Sequence, residues 1–254
     1  MGNNPPDTVI NLALPYIFMH IRAFLEEMER LAPSCLADDS DRERIGLIVE
    51  GRPEITKVCC ALDPTPGVVA QAVAVSADML VVHHTLLYTP VTRLTGRTVQ
   101  ILRAILAADM NLYVMHTNFD RADNGVNDAL SRLLLLTDVS SLSLGRIGTC
   151  HVTLSDMSRI LGGGIRTWGA IGETVTRLAV VAGSGFDPGL LQEAVDRGAD
   201  AFLSSEMKLA VARGAPLPCI EATHYALEAP GMRELASRMG WEYIDDPPVV
   251  SQFL

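Results

Sequence analysis

Ala77-Asp78-Met79-Leu80-Val81-Val82-His83-His84 is the stretch that decides the reading of this chain. Four apolar residues, Met79 to Val82, form a run too short for a core helix and rich in β-branched side chains, so it predicts a buried strand. The strand delivers two adjacent histidines at its carboxyl end. Neighbours on a regular strand point to opposite faces. At the frayed end of a strand, two neighbours can instead serve two ions a few ångströms apart.

The same arrangement recurs outward from this stretch. Leu112 to Met115 reads as a strand delivering His116, and Cys219 to Ala222 as a strand delivering Thr223-His224. His116 with Asp120 and His224 with Glu228 are i,i+4 pairs, whose side chains share one face of a helical turn. The chain has six histidines, and four of them lie in these three clusters. Each cluster taken singly also reads as a hydrogen-bonded core histidine or a surface pair. Taken together, four imidazoles and two carboxylates are enough donors for two divalent ions.

Between these segments, strand and helix patterns alternate. Ile45 to Val49, Val58 to Leu62, Arg177 to Val181 and Ala201 to Leu203 read as strands. Ile21 to Leu31, Gly67 to Ser76, Thr98 to Ala108, Val126 to Leu136, Ser155 to Leu161, Pro188 to Arg197, Lys208 to Arg213 and Glu228 to Met239 read as helices. The alternation predicts an α/β fold of two similar lobes with mostly parallel sheets. The expected organisation is an N-terminal extension over 1–18, a first lobe over 19–140 and a second over 141–254. Asp63 and Glu206 also follow strands. Open α/β sheets place their sites at the carboxyl ends of strands, so the metal site is expected between the lobes at those ends. Asp63 and Glu206 are then candidate catalytic proton carriers, or carboxylates that support the ligands.

Composition narrows the function. A net charge of −10 disfavours binding to a phosphate backbone, which relies on clustered Lys and Arg. Apolar runs are too short for a transmembrane span, and the N-terminus has no secretory-signal pattern. Five cysteines without CxxC spacing point to reduced thiols in a cytoplasm. Gly183-Ser184-Gly185 follows a strand and precedes a helix. It reads as a plain turn in preference to a phosphate cradle.

From about Met19 onward the chain resembles the Nif-three-like dinuclear metal-centre proteins, often named GTP cyclohydrolase 1 type 2 homologues. The resemblance rests on the 77–84 stretch, on His116-Thr117-Asn118-Phe119-Asp120 and on Gly125-Val126-Asn127-Asp128. It continues through Gly145-Arg146-Ile147-Gly148, Gly198-Ala199-Asp200-Ala201-Phe202, and His224-Tyr225 followed by Glu228. It implies His83, His84, His116, Asp120, His224 and Glu228 as ligands, the set already reached from the residues. It also implies a toroidal homohexamer with sites facing an inner cavity. Thr85, Arg42-Glu43-Arg44-Ile45, Ser204-Ser205 and Thr223 depart from the family pattern, and the ligands survive these changes. The expectation is a protein with two divalent ions (Fe, Zn, Mn, Co or Ni) that hydrolyses a nucleotide-like or other small substrate. The alternative is a non-catalytic metal carrier, insertion factor or partner-binding ring.

Overall fold

The computed structural model describes residues 18–162 and 164–250. The expected N-terminal extension therefore lies outside the described residues, apart from the exposed Phe18. The first sheet is built from β2 (Gly46–Val49), β4 (Val58–Ala61), β5 (Met79–Val82), β6 (Asn111–Val114) and β13 (Glu242–Tyr243). Its order is β13-β4-β5-β6-β2, parallel throughout except for the edge strand β2. The second sheet holds β7 (Thr137–Ser141), β8 (Arg146–Thr149), β9 (Arg166–Trp168), β10 (Arg177–Val180), β11 (Ala201–Ser204) and β12 (Cys219–Glu221). It runs β7-β8-β10-β11-β12-β9, with a parallel centre and antiparallel flanks. A short ladder joins β1 (Met19–His20) to β3 (Glu54–Ile55).

Every residue of β4, β5 and β6 is buried, which is why, the initial Asn111 of β6 apart, these strands read as apolar runs. Alternate side chains feed different cores. Cys59, Ala61, Leu80 and Val82 pack on α2 (Pro66–Ala74) and α3 (Gly96–Ala107) through Val68, Val69, Ile101 and Ile105. Cys60, Met79 and Val81 face the central core. There they meet α1 (Ile21–Leu31), α5 (Val126–Leu133), α9 (His224–Met239) and the inner face of the second sheet, Leu178, Val180, Leu203 and Ile220. The outer face of the second sheet, Ala179, Val181 and Phe202, is covered by Leu191 and Ala194 of α7 (Pro188–Asp196). Among the described residues there are also three shorter α-helices, α4 (Thr117–Arg121), α6 (Leu154–Ile160) and α8 (Leu209–Gly214), and a 3-10 turn over Ser34–Leu36.

Several features depart from the local reading. Helix α5 stops at Leu133, short of the expected end at Leu136, because Leu135 takes a left-handed φ of 56°, and strand β7, which was not expected, follows at Thr137. Strand β13 leaves α9 and returns to the first sheet beside β4, so the last segment does not stay with the second sheet. Helix α9 starts at His224, four residues before the expected start, and carries Pro230 inside it. Proline there removes one intrahelical bond. The helix persists because Thr223 caps it by accepting from the Ala226 N–H, and because Leu227, Ala229, Met232 and Leu235 are buried along it. None of the described helices is long and apolar enough to cross a membrane.

Candidate metal centre

The carboxyl end of β5 departs from the pleat. The amides of His83 and His84 both donate to one carbonyl, that of Leu62, at 3.1 and 3.0 Å. This brings the two rings to the same side, with centroids 5.1 Å apart. His116 follows β6 and sits at the N-cap of α4. Its carbonyl accepts from the Phe119 and Asp120 amides, which turns Asp120 back toward the same space. His224 and Glu228 share one face of the first turn of α9.

Six residues spread from 83 to 228 in sequence thus meet. Ring centroids lie 5.0 Å apart for His83 and His116, and 5.2 Å for His84 and His224. Two groupings can hold a metal ion, His83-His84-His116 and His84-His224-Glu228. In each, the donor atoms lie within 4.8 Å of one another. Glu228 is the hub. Its Oε2 is 3.0 Å from His84 Nε2 and 2.9 Å from His224 Nε2, and its Oε1 is 3.7 Å from His83 Nε2. Asp120 Oδ1 lies 3.5 Å from His83 Nε2.

These short approaches are not all hydrogen bonds. The buried His83 Nδ1 and Nε2, Asp120 Oδ1, His224 Nε2 and Glu228 Oε2 make none. Buried polar atoms without partners are costly, and here most of them gather on one group of histidines and carboxylates. A divalent cation would satisfy those that face it, His83 Nε2, His224 Nε2 and the carboxylate oxygens of Asp120 and Glu228. The mixed imidazole and carboxylate set suits Fe, Zn, Mn, Co or Ni.

Outer carboxylates hold three of the four imidazoles. Asp63 Oδ1 bonds His84 Nδ1 at 2.8 Å, Asp41 Oδ2 bonds His116 Nδ1 at 2.6 Å, and Glu206 Oε1 bonds His224 Nδ1 at 3.0 Å. A carboxylate on Nδ1 sets the ring tautomer and leaves Nε2 free to ligate. Asp63 and Glu206, named from sequence as proton carriers or supports, stand at these Nδ1 positions. Asp41 was not anticipated. It lies in the charged segment Asp38 to Arg44, which carries no spacing signal, yet it is 3% exposed and also accepts from Thr117 Oγ1 at 2.7 Å. Glu206 takes a left-handed φ of 63°, a costly conformation that the surrounding fold must impose.

The electrostatics reflect the crowding. Burial pushes His83 down to about 4, against the pull of Glu228. Burial also works against His84, but the hydrogen bond to Asp63 and the adjacent Glu228 carboxylate raise it to about 10. Asp120 is raised well above the carboxylate range by burial and by the charge of Glu228. Glu228 is held well below that range because the imidazoles of His83, His224 and His84 outweigh its burial. Two carboxylates this close oppose each other's ionisation, and a divalent cation would relieve that conflict.

Two other motifs position the centre. Asn127, fully buried, donates to the Asp120 carbonyl at 3.0 Å and accepts from the Ala182 amide at 2.8 Å, tying α5 to the end of β10. The turn after β10 is a plain one: Gly185 N–H donates to Ser204 Oγ at 2.7 Å, so this amide is not free to cradle a phosphate. Above the centre lies an open cleft of about 520 Å³ that includes His84, His224, Tyr88 and Tyr225.

A model of the family described as Duf34/NIF3 (NGG1p interacting factor 3) matches residues 19–246. A Methanocaldococcus jannaschii protein named GTP cyclohydrolase 1 type 2 homolog is 30% identical over 243 residues, covering 89% of this chain and 98% of that one. A Streptomyces coelicolor protein of the same name is 32% identical over 252 residues, covering 85% and 86%. Among solved structures, reduced HcgD from Methanocaldococcus jannaschii superposes with a TM-score of 0.76 at 28% identity, covering 90% and 98%. TTHA1606 from Thermus thermophilus gives 0.75 at 25%, covering 91% and 100%.

Proposed function

The chain belongs to the Duf34/NIF3 family, and on that premise we propose that it holds two divalent metal ions and uses them to hydrolyse a small, nucleotide-like substrate. The ligands in this reading are His83, His84, His116, Asp120, His224 and Glu228. The observation that carries it is the position of Glu228, a buried carboxylate within ion-pair distance of three imidazoles, one of them common to both groupings. A bound pair of ions supplies Lewis acidity and a water of lowered pKa. The chain's own groups do the rest. Asp41, Asp63 and Glu206 orient the imidazoles. The side chains of Asp63 and Glu206, 43% and 59% exposed, also reach solvent and move protons between the cleft and bulk water. The name shared by the curated relatives supports a purine nucleotide or a related compound as substrate.

As the resemblance implies, we read the chain as one subunit of a homohexamer. Its buried, unpaired cysteines, Cys59, Cys60, Cys150 and Cys219, suit a reducing cytoplasm.

Elemental analysis of natively purified protein, combined with a turnover screen of nucleotides and phosphoesters, tests the proposal. Two metals per chain and metal-dependent turnover are expected. Fewer than two metals removes the dinuclear assignment. Two metals without turnover of any compound leaves a carrier or insertion role in place of hydrolysis.

A further inference from the structure

We propose that the cleft over the metal ligands accepts a planar substrate body that is neutral or cationic, and excludes an anionic chain such as a triphosphate from the space between its walls. This rests on the metal-centre reading only for the direction in which the reacting group points. The cleft, about 520 Å³, is of the size that holds a small organic ligand. Tyr88 and Tyr225 supply aromatic surface, and Asp63, Glu206 and Asp246 supply carboxylates. No Lys or Arg is among its described lining residues.

Each of the three acids has one oxygen engaged. Asp63 Oδ1 and Glu206 Oε1 bond the Nδ1 atoms of His84 and His224, and Asp246 Oδ2 accepts from Thr65 Oγ1 at 2.6 Å. The second oxygen of each is left for a ligand donor. Asp246 is held in place, because its amide also bonds the Tyr225 hydroxyl at 3.3 Å and the neighbouring Asp245 pairs with that same hydroxyl. Arg233, the nearby cation, is taken by Asp245 at 2.7 Å.

Anions are recognised by Arg, by Lys, or by free amides at helix N-termini. The two helices that begin at this cleft offer little of the last kind. Thr65 Oγ1 accepts from the Val68 amide at the start of α2, and Thr223 Oγ1 from the Ala226 amide at the start of α9. An anion lying between the walls would face three carboxylates with no lysine or arginine in the described lining to offset them. The anionic or electrophilic part of a substrate is therefore left only the floor, where His84 and His224 stand, and the planar body takes the walls.

Three isosteric probes separate the charge states: benzamidine, benzamide and benzoate, titrated by ligand-observed NMR into protein of measured metal content, before and after chelation. Benzamidine should bind most tightly and benzoate most weakly in chelated protein. Asp246→Asn, which keeps the acceptor for Thr65, should lower benzamidine affinity about threefold, the range for an exposed charge pair, and leave benzamide unchanged. Tyr88→Ala should weaken all three. Benzoate binding at least as tightly as benzamidine after chelation, or unchanged probe ratios in Asp246→Asn, overturns the proposal. Metal content is read separately. A protein that carries no metal as natively purified yet prefers benzamidine would defeat the metal assignment and keep this one, and a protein purified with two metals but without the preference after chelation would do the reverse.

Discussion

Gly183 and Glu228 are neighbours by necessity: a Cβ built on Gly183 overlaps the Glu228 carboxylate and comes within 3.3 Å of His224 Nε2. Gly183 also has a left-handed φ of 72°. The turn after β10 is thus the surface against which the central carboxylate rests. Gly183→Ala should cost about 1–3 kcal/mol in stability and reduce metal content, because Glu228 must move. Melting curves with elemental analysis check this, and a variant with wild-type metal content would show that Glu228 is not held by this turn.

Asp41 is the test of the outer carboxylates. Asp41→Ala removes the partner of His116 Nδ1 and of Thr117 Oγ1. Metal affinity should fall about 10–100-fold, the range for losing such a partner, with the fold retained. Competition against a metallochromic chelator gives the affinity, and circular dichroism the fold.

Chelation should lower the melting temperature of the intact protein. Asp120 and Glu228 are 6% and 3% exposed, and a cation that binds only the folded chain stabilises it by mass action. Restoring Zn, Mn, Fe, Co or Ni in turn should recover the loss to different extents. A melting temperature indifferent to chelator and to every metal would argue against a cation at these carboxylates.

Away from the centre, Asp78 ties the start of β5 to the loop after β3. It accepts from the Thr56 hydroxyl at 2.6 Å, from the Thr56 and Lys57 amides at 2.9 and 3.0 Å, and from Arg52 at 3.2 Å. Burial opposes its ionisation, but these donors hold its carboxyl below the usual range. A depressed carboxyl stabilises the fold above its unfolded pKa of about 3.9, and the contribution is lost as pH falls through the folded value. Asp78→Asn should cost about 2 kcal/mol at neutral pH. The gap between wild type and variant should narrow below about pH 4. Urea unfolding at neutral and acid pH measures it, and a gap that stays constant would remove the assignment.

Much of the site was legible because its signals are local. A four-residue apolar run ending in His83-His84, and the i,i+4 spacing of His116 with Asp120 and His224 with Glu228, depend only on strand and helix geometry. Boundaries failed where packing overruled local preference. The helix expected over Glu228 to Met239 already ran through Pro230, and the structure extends it back to His224, where the Thr223 cap and buried neighbours hold the first turn. Polar, mostly exposed β7 has no apolar alternation to announce it, and it exists because β8 offers it an edge.

What the sequence by itself determined is which side chains stand at strand ends, since that follows from periodicity over a few residues. What only the tertiary structure decided is which of them meet. Asp41 reaches His116 across 75 positions, β13 returns to β4, and Gly183 backs Glu228. No short-range pattern encodes these contacts. They arise because the helices between the two sheets and the inner faces of those sheets bury one shared core, and burying it brings the ends of β5, β6 and β10 and the start of α9 to one place.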